Sequence, residues 1–237
     1  MHNPRLERVL AGSRLFGRLE PSALVEVTAA AAFRAYVRGE HLWSAGEPAT
    51  HFTIVHSGLL KVVQTLPDGS DAIVGLFGPR ESVGDTAVVE RASYPAAAIV
   101  ASDQAEVVRV EAAPILARME TRTDVAKAIN RALLDHTHAL QEKIRVMSAG
   151  AVPKRLATLL LTLAERFGDE REDGALVIPI AISRGELACL IGARVETTIR
   201  CIRVWEKAGS VETNPDGFVV KDVEAVRAAT RAADDAG

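Results

Sequence analysis

Residues Ile182–Lys207, ISRGELACLIGARVETTIRCIRVWEK, carry the reading on which the fold turns. They pattern as two short helices around a glycine. In the second helix Thr198, Cys201, Ile202 and Trp205 recur at three- and four-residue spacing and are expected to pack inward. Glu196, Arg200, Arg203 and Lys207 recur on the opposite side. A helix anchored by one stripe and offering hydrogen-bonding groups along the other meets the physical requirement for reading base edges in a major groove. Ser183 with Glu186 three residues on fits a capping box, and Leu187, Leu190 and Ile191 give the first helix its buried side. Gly192 permits the sharp turn between them. The plainer alternative is a surface helix pair with solvated charges, and the surrounding chain bears on the choice.

With 237 residues the chain can hold two modest domains, each with its own core. A hydrophobic fraction of 48% and a charged fraction of 25% are those of a soluble globular protein. No apolar run reaches the roughly eighteen residues of a membrane span. The N-terminal MHNPRLERVL lacks the apolar core of a signal peptide, so a cytoplasmic protein without membrane contact is expected. The formal net charge of −3 argues against a generally adhesive nucleic-acid binder. DNA affinity must then be local, and residues 183–208 do carry five cationic side chains against three glutamates. Cys189 and Cys201 both lie in the two-helix stretch and form no CxxC pair, so one chain has no ligand set for a structural zinc or an iron–sulfur cluster.

Before this stretch the texture changes twice. Pro21 and Ser22 open a helical run, Ala23–Ala32, after which short valine- and isoleucine-rich segments alternate with glycine- and proline-bearing turns to about Glu111. The expected strands are His51–Val55, Leu59–Thr65, Asp71–Leu76, Ala97–Ala101 and Ala105–Glu111, and their spacing predicts an antiparallel β barrel or jelly roll. A long helix begins near Thr121. Along it Ile129, Leu133, His136, Leu140, Ile144 and Met147 follow a near a/d seam, suited to pairing with a second copy; packing on its own barrel is the alternative. Ser148–Pro153 breaks the pattern as a linker. A strongly apolar helix Lys154–Phe167, an acidic loop 168–174 and a strand Leu176–Ile180 follow. Two strands near 208–211 and 216–220 complete a winged helix-turn-helix, and the tail after Thr230 is read as loose. The expected class is α+β, divided as a sensor domain 1–120, a dimerisation helix and hinge 121–150, and a DNA-binding domain 151–237.

An N-terminal β-domain, a seam helix and a C-terminal winged helix-turn-helix in this order resemble the Crp/Fnr family of bacterial transcription regulators, over roughly residues 14–228. Besides the helix-turn-helix, Phe77–Ala98, FGPRESVGDTAVVERASYPAAA, resembles the phosphate-binding cassette of cyclic-nucleotide domains, with Gly84-Asp85 where the family has Gly-Glu. The resemblance implies a homodimer that binds double-stranded DNA, works with RNA polymerase and answers a small signal. It does not name the signal. The arginine–serine pair that grips the cyclic phosphate in cyclic-AMP receptors falls here on Pro95-Ala96, and proline has neither charge nor backbone N–H. Arg91 lies four residues earlier. The family's polar contacts from the long helix align with Leu140 and Gln141. Gly84, Asp85, Arg91, Ser93, Tyr94, Leu140 and Gln141 are thus the candidate effector pocket, with cyclic AMP disfavoured. The β-domain has no cysteine for the iron–sulfur cluster of the Fnr branch. Haem stays open as an alternative: His41, His51, His56, His136 and His138 are available, and Tyr94-Pro95 resembles cassettes of the nitrogen-oxide-responsive branch.

At the DNA end, Glu196 and Arg200 match the family's base-reading pair. A guanidinium donates twice to guanine O6 and N7, and a carboxylate accepts from cytosine N4. Their spacing of one turn lets each hold the other. Val195 resembles the Fnr type and touches a thymine methyl, so TTGA-like half-sites are expected; Ile199 departs from the serine usual there. Base contacts are assigned to Val195, Glu196, Ile199 and Arg200, and phosphate contacts to Ser183, Arg184, Arg194, Thr197 and Arg203. A regulator without a ligand is a second reading. A catalytic protein is a third, for which no Ser/His/Asp set, Walker loop or metal-ligand cluster stands out.

Overall fold

The computed structural model describes residues 3–67, 69, 71–119 and 121–231, with residues 135, 136 and 139 described by backbone alone. The chain divides into two compact units, Met1–Thr65 with Val74–Ala139 and Leu66–Ile73 with Leu140–Gly237.

The first unit opens with α1 (Pro4–Gly12) and α2 (Pro21–Ala29), each with proline in its first turn. The Asn3 side-chain oxygen caps α1 by accepting from the amides of Arg5 and Leu6. The helical run expected to reach Ala32 stops short, because Ala31 begins β1 (Ala31–Val37), which pairs along its whole length with the later strand β8. Tertiary pairing overrides the alanine-rich helical pattern there. The chain continues through β2 (His41–Trp43), β3 (His51–Ser57), β4 (Leu60–Thr65), β5 (Asp71–Phe77), β6 (Ser82–Val83), α3 (Asp85–Val89), β7 (Ala97–Val100) and β8 (Gln104–Glu111). The strands form two four-stranded sheets, β1-β8-β3-β6 and β2-β7-β4-β5. One core joins them: Phe52, Ile54 and Val108 come from the first sheet, and Leu42, Trp43, Leu60, Ala98 and Val100 from the second. This is the antiparallel sandwich the strand spacing predicts. Strand β8 is buried on both faces, since α1 packs over the sheet from outside.

Then come α4 (Ala112–Met119) and the long α5 (Thr123–Met147). Val125, Ala128, Ile129 and Ala132 are buried on one face of α5, with Val125, Ile129 and Ala132 in the first unit's core. Ile129, expected at the seam, is only 3% exposed and packs at home instead. Leu133 is half-buried, while Leu140, Ile144 and Met147 are exposed. The side chain of His136 lies outside the described residues.

In the second unit are α6 (Val152–Phe167), β9 (Asp169–Glu170), β10 (Leu176–Ile178), α7 (Arg184–Leu190), α8 (Val195–Lys207), β11 (Val211–Asn214), β12 (Gly217–Val220) and α9 (Val223–Arg231). Its sheet runs β11-β12-β10-β9. Gly217 is required by close approach: a Cβ there would stand 2.0 Å from the Ile178 carbonyl oxygen. The acidic loop contributes a short strand, and the expected strand at 176–180 ends at Ile178. Ala208 caps α8, so the wing begins only at Val211. Helix α9, which packs on α6 with Val226 buried, fills the stretch between the expected wing and the tail, to which the sequence assigns no element; of that tail, residues 232–237 lie outside the described residues.

Helix α5 ends at Met147, where the linker is expected, yet the second unit begins earlier, at Leu140. Side chains explain the difference. Arg145 donates to Glu142 and, at 3.0 Å, to Thr162 on α6, whose hydroxyl donates to Glu142 at 3.2 Å. The Arg145 hydrogen bond holds the Glu142 carboxyl below the usual carboxylate range. The last turns of α5 are thereby tied to α6.

Candidate nucleic-acid interface

Helix α7 starts at the predicted capping box. The Ser183 hydroxyl accepts from the Glu186 amide at 3.2 Å, and the Glu186 carboxylate accepts from the Ser183 amide at 2.7 Å. Leu187, Ala188, Leu190 and Ile191 are buried, and Gly192 makes the turn at φ +59°. Two features of this turn escape the sequence. Arg155 of α6 donates through one terminal nitrogen to the carbonyls of Ile191 at 2.6 Å and Gly192 at 2.9 Å. The Met147 methyl would stand 3.1 Å from a Cβ on Gly192. The sequence signal for the first is slight: Arg155 stands beside Lys154 in the first turn of α6, ahead of the apolar run that follows.

Helix α8 presents the expected two faces. Thr198 is fully buried, its hydroxyl donating to the Arg194 carbonyl at 3.1 Å, and Ile202 is buried below it. Burying Ile202 is worth about 1.5–3 kcal/mol, which anchors the helix. Cys201 and Trp205 are half-buried beside them. Burial pushes the Cys201 thiol upward, with Arg200 pulling the other way, so it stays protonated. Val195, Glu196, Arg200, Arg203 and Lys207 are exposed, and Ile199 and Thr197 are half-buried. These positions share one side of the helix. Glu196 and Arg200 make no ion pair within 4 Å among the described residues, contrary to the mutual support their spacing suggests. Both heads are left to meet a ligand.

The phosphate-contact residues divide. Arg194 and Arg203 are exposed at the start and middle of α8. The Ser183 oxygen is used as a cap, but its hydroxyl proton remains able to donate. Arg184 is half-buried and already engaged within the unit. It donates to the Thr213 hydroxyl at 2.9 Å, lies 3.6 Å from the Glu206 carboxylate and sits 5.7 Å above the Phe218 ring. Its guanidinium thus ties α7 to α8 and the wing, because Glu206 near the end of α8 supplies the counter-charge.

In the first unit the candidate effector residues Gly84, Asp85, Arg91, Ser93 and Tyr94 divide between core and surface. Tyr94 is 3% exposed and stacks on Trp43, with centroids 4.1 Å apart and rings 14° from parallel. Burial raises the Tyr94 phenol to about 12. Its hydroxyl donates to the His51 carbonyl at 3.3 Å, and the Trp43 indole donates to the Ala96 carbonyl at 3.1 Å. Gly84, at φ +80°, lies against this pair: a Cβ there would meet Tyr94 Cε1 at 2.8 Å. Tyr94 is therefore core, not pocket lining. Arg91 and Ser93 are exposed, and Asp85 accepts from the Ser82 hydroxyl. Leu140 and Gln141 belong to the second unit. The cassette offers a phosphate no cation at Pro95-Ala96, and its aromatic stack closes the space beside Gly84, so these residues do not fit a cyclic nucleotide held in the manner of cyclic-AMP receptors. Among the described residues the candidate histidines have separate surroundings. His41 and His138 are exposed, His51 sits between Thr50 and Arg109, and His56 is 3.7 Å from Glu106. Desolvation, followed by Arg109, lowers the His51 pKa.

Comparison with known proteins gives the same assignment. The family model "Cyclic nucleotide-binding domain" matches residues 33–122, and "Crp-like helix-turn-helix domain" matches residues 154–229. The chain is 25% identical over 219 residues to the CRP-like cAMP-activated global transcriptional regulator of Mycobacterium tuberculosis, covering 92% of this chain and 97% of that one. It is 26% identical over 194 residues to the nitrogen fixation regulation protein FixK of Bradyrhizobium diazoefficiens, covering 81% and 80%. The structure of FixK2 from Bradyrhizobium japonicum superposes with a TM-score of 0.69 at 19% identity, covering 86% of this chain and 98% of that one, which shows a common fold. The chain belongs to the Crp/Fnr family of transcription regulators and carries that family's DNA-binding helix-turn-helix. Among the described residues no helix is long and apolar enough to cross a membrane.

Proposed function

We propose that the protein acts in the cytoplasm as a homodimeric regulator, reading a two-fold symmetric DNA site with TTGA-like half-sites. The observation that carries this reading is the exposed row Val195, Glu196 and Arg200 on a helix whose other side is buried. Arg200 donates to guanine, Glu196 accepts from cytosine and Val195 meets a thymine methyl. Ser183, Arg194, Thr197 and Arg203 set register on the phosphates, and Ile199 touches the neighbouring base. The exposed stripe Leu140, Ile144 and Met147 supports pairing of two α5 helices. The reading includes RNA polymerase as a partner and no catalytic activity. Selection from randomised duplexes tests it: TGA-centred half-sites in inverted repeat are expected, and recovered sites lacking that core would overturn it.

The input is a small signal other than cyclic AMP that favours one dimer arrangement over another. A second reading, a constitutive regulator with a vestigial nucleotide site, is favoured by one observation: the Trp43–Tyr94 stack packed against Gly84. DNA affinity that does not change with cell extract would select it.

A further inference from the structure

A cleft of about 480 Å³ in the first unit lies outside the cassette and is lined by Arg5, Arg8 and Val9 of α1, Val55 and His56 of β3, and Arg80. Positions 5, 8 and 9 share one face of α1, so both arginines are presented to the same side. Arg5 lies 4.2 Å above the Phe33 ring and pairs with Glu106, the carboxylate that also stands 3.7 Å from His56. Glu106 therefore accounts for Arg5 and His56. Arg8 and Arg80 have no carboxylate within 4 Å among the described residues.

Arg80 is held in an unusual way. Its φ is +73°, a region that L residues rarely occupy and that glycine enters without steric cost. The turn itself asks only for backbone: the Arg80 amide donates to the Val55 carbonyl at 2.8 Å, and its carbonyl accepts from the Arg14 amide at 2.9 Å. A glycine would serve those bonds better. The side chain is nonetheless fixed, with Nε donating to the Gly12 carbonyl at 2.7 Å, which leaves the two terminal amino groups of the fork. Backbone strain kept in exchange for a positioned cation is the pattern of a ligand site.

We propose that this cleft binds a small phosphate-bearing anion, gripped by the Arg8 and Arg80 guanidinium groups, with Val9 and Val55 offering an apolar wall to the rest of the ligand. Two uncompensated guanidiniums match the oxygens of a phosphate or diphosphate through charge-assisted bonds. The volume suits a nucleotide-sized metabolite, since such pockets run from about 300 to 1,000 Å³. The site stands independently of which DNA sequence α8 reads.

Calorimetric titration of the full chain with inorganic pyrophosphate at low salt tests the proposal, using Arg80→Gly, Arg8→Gln and, as a control at the DNA face, Arg200→Ala. The expected result is binding that weakens about tenfold or more in each cleft variant and is unchanged in Arg200→Ala. Arg80→Gly should keep its Tm to within about 4 °C, because glycine relieves the positive φ as the side chain is lost. Arg8→Gln keeps the test sound should the glycine variant fold poorly. No pyrophosphate binding, equal affinity in the cleft variants, or loss only in Arg200→Ala would overturn the proposal. So would binding of an octaglutamate peptide without pyrophosphate, which would make the cleft a protein-docking surface.

Discussion

One terminal nitrogen of Arg155 lies 2.9 Å from the carbonyl oxygen of Gly192 while also bonding that of Ile191. The turn between α7 and α8 is thus held from α6, thirty-seven residues back along the chain. Arg155→Ala removes two charge-assisted bonds and should destabilise the second unit by about 2–3 kcal/mol, measured by urea unfolding. Arg155→Lys should recover only part of this, since a compact ammonium does not reproduce the fixed fork. Full stability in Arg155→Ala would show that the turn stands on Gly192 and its own packing.

Arg200 is exposed, so its loss should leave folding intact and act on recognition. Arg200→Ala should weaken binding by about 1–3 kcal/mol at the guanine it reads and flatten preference at that base pair. Arg203→Ala, at a proposed phosphate contact, should weaken all sites alike and reduce the salt slope by about one. Competition binding across single-base variants at several salt concentrations separates the two effects. Equal discrimination in Arg200→Ala and parent would remove Arg200 from base reading.

Tyr94 supplies a pH dependence. Its phenol is raised from 10.0 to about 12 in the folded chain, so the folded state holds the proton more tightly than the unfolded state. The stabilisation is complete below pH 10 and is lost as pH rises toward 12, by an amount on the order of 2 kcal/mol. Tyr94→Phe keeps the stack on Trp43 and should abolish this slope between pH 10 and 12 in denaturant titrations. An unchanged slope would assign the alkaline loss to other groups.

Ile144 is 63% exposed on α5. If two α5 helices pair along Leu140, Ile144 and Met147, then Ile144→Glu buries a charge at the seam and should convert dimer to monomer in sedimentation while leaving the circular dichroism spectrum unchanged. A dimer of undiminished affinity would place the interface elsewhere.

What could be read along the chain is what neighbouring residues settle among themselves. The Ser183–Glu186 capping box, the positive φ of Gly192 and the buried Thr198–Ile202 stripe act within one or two turns, so spacing alone revealed them. The alternation of β3, β4, β5, β7 and β8 was legible for the same reason. Alanine-rich Ala31–Ala32 misled, because pairing with Val110 and Arg109 outweighs a local helical preference. Helix α9 was missed because its sequence carries charges around a single buried anchor, Val226.

By itself the sequence determined the output: a helix-turn-helix with Glu196 and Arg200 one turn apart on its second helix, and a cassette whose phosphate-gripping pair is replaced by Pro95-Ala96. Tertiary structure alone decided which polar groups remain available. It drew Arg184 into a bond with Thr213, set Arg155 on the turn, stacked Tyr94 on Trp43 and left Arg80 facing a cleft. The reason is one of range. Helical period and capping are satisfied by residues three or four apart, whereas the partner of a guanidinium or an aromatic ring is whatever the completed fold brings beside it, often dozens of residues away.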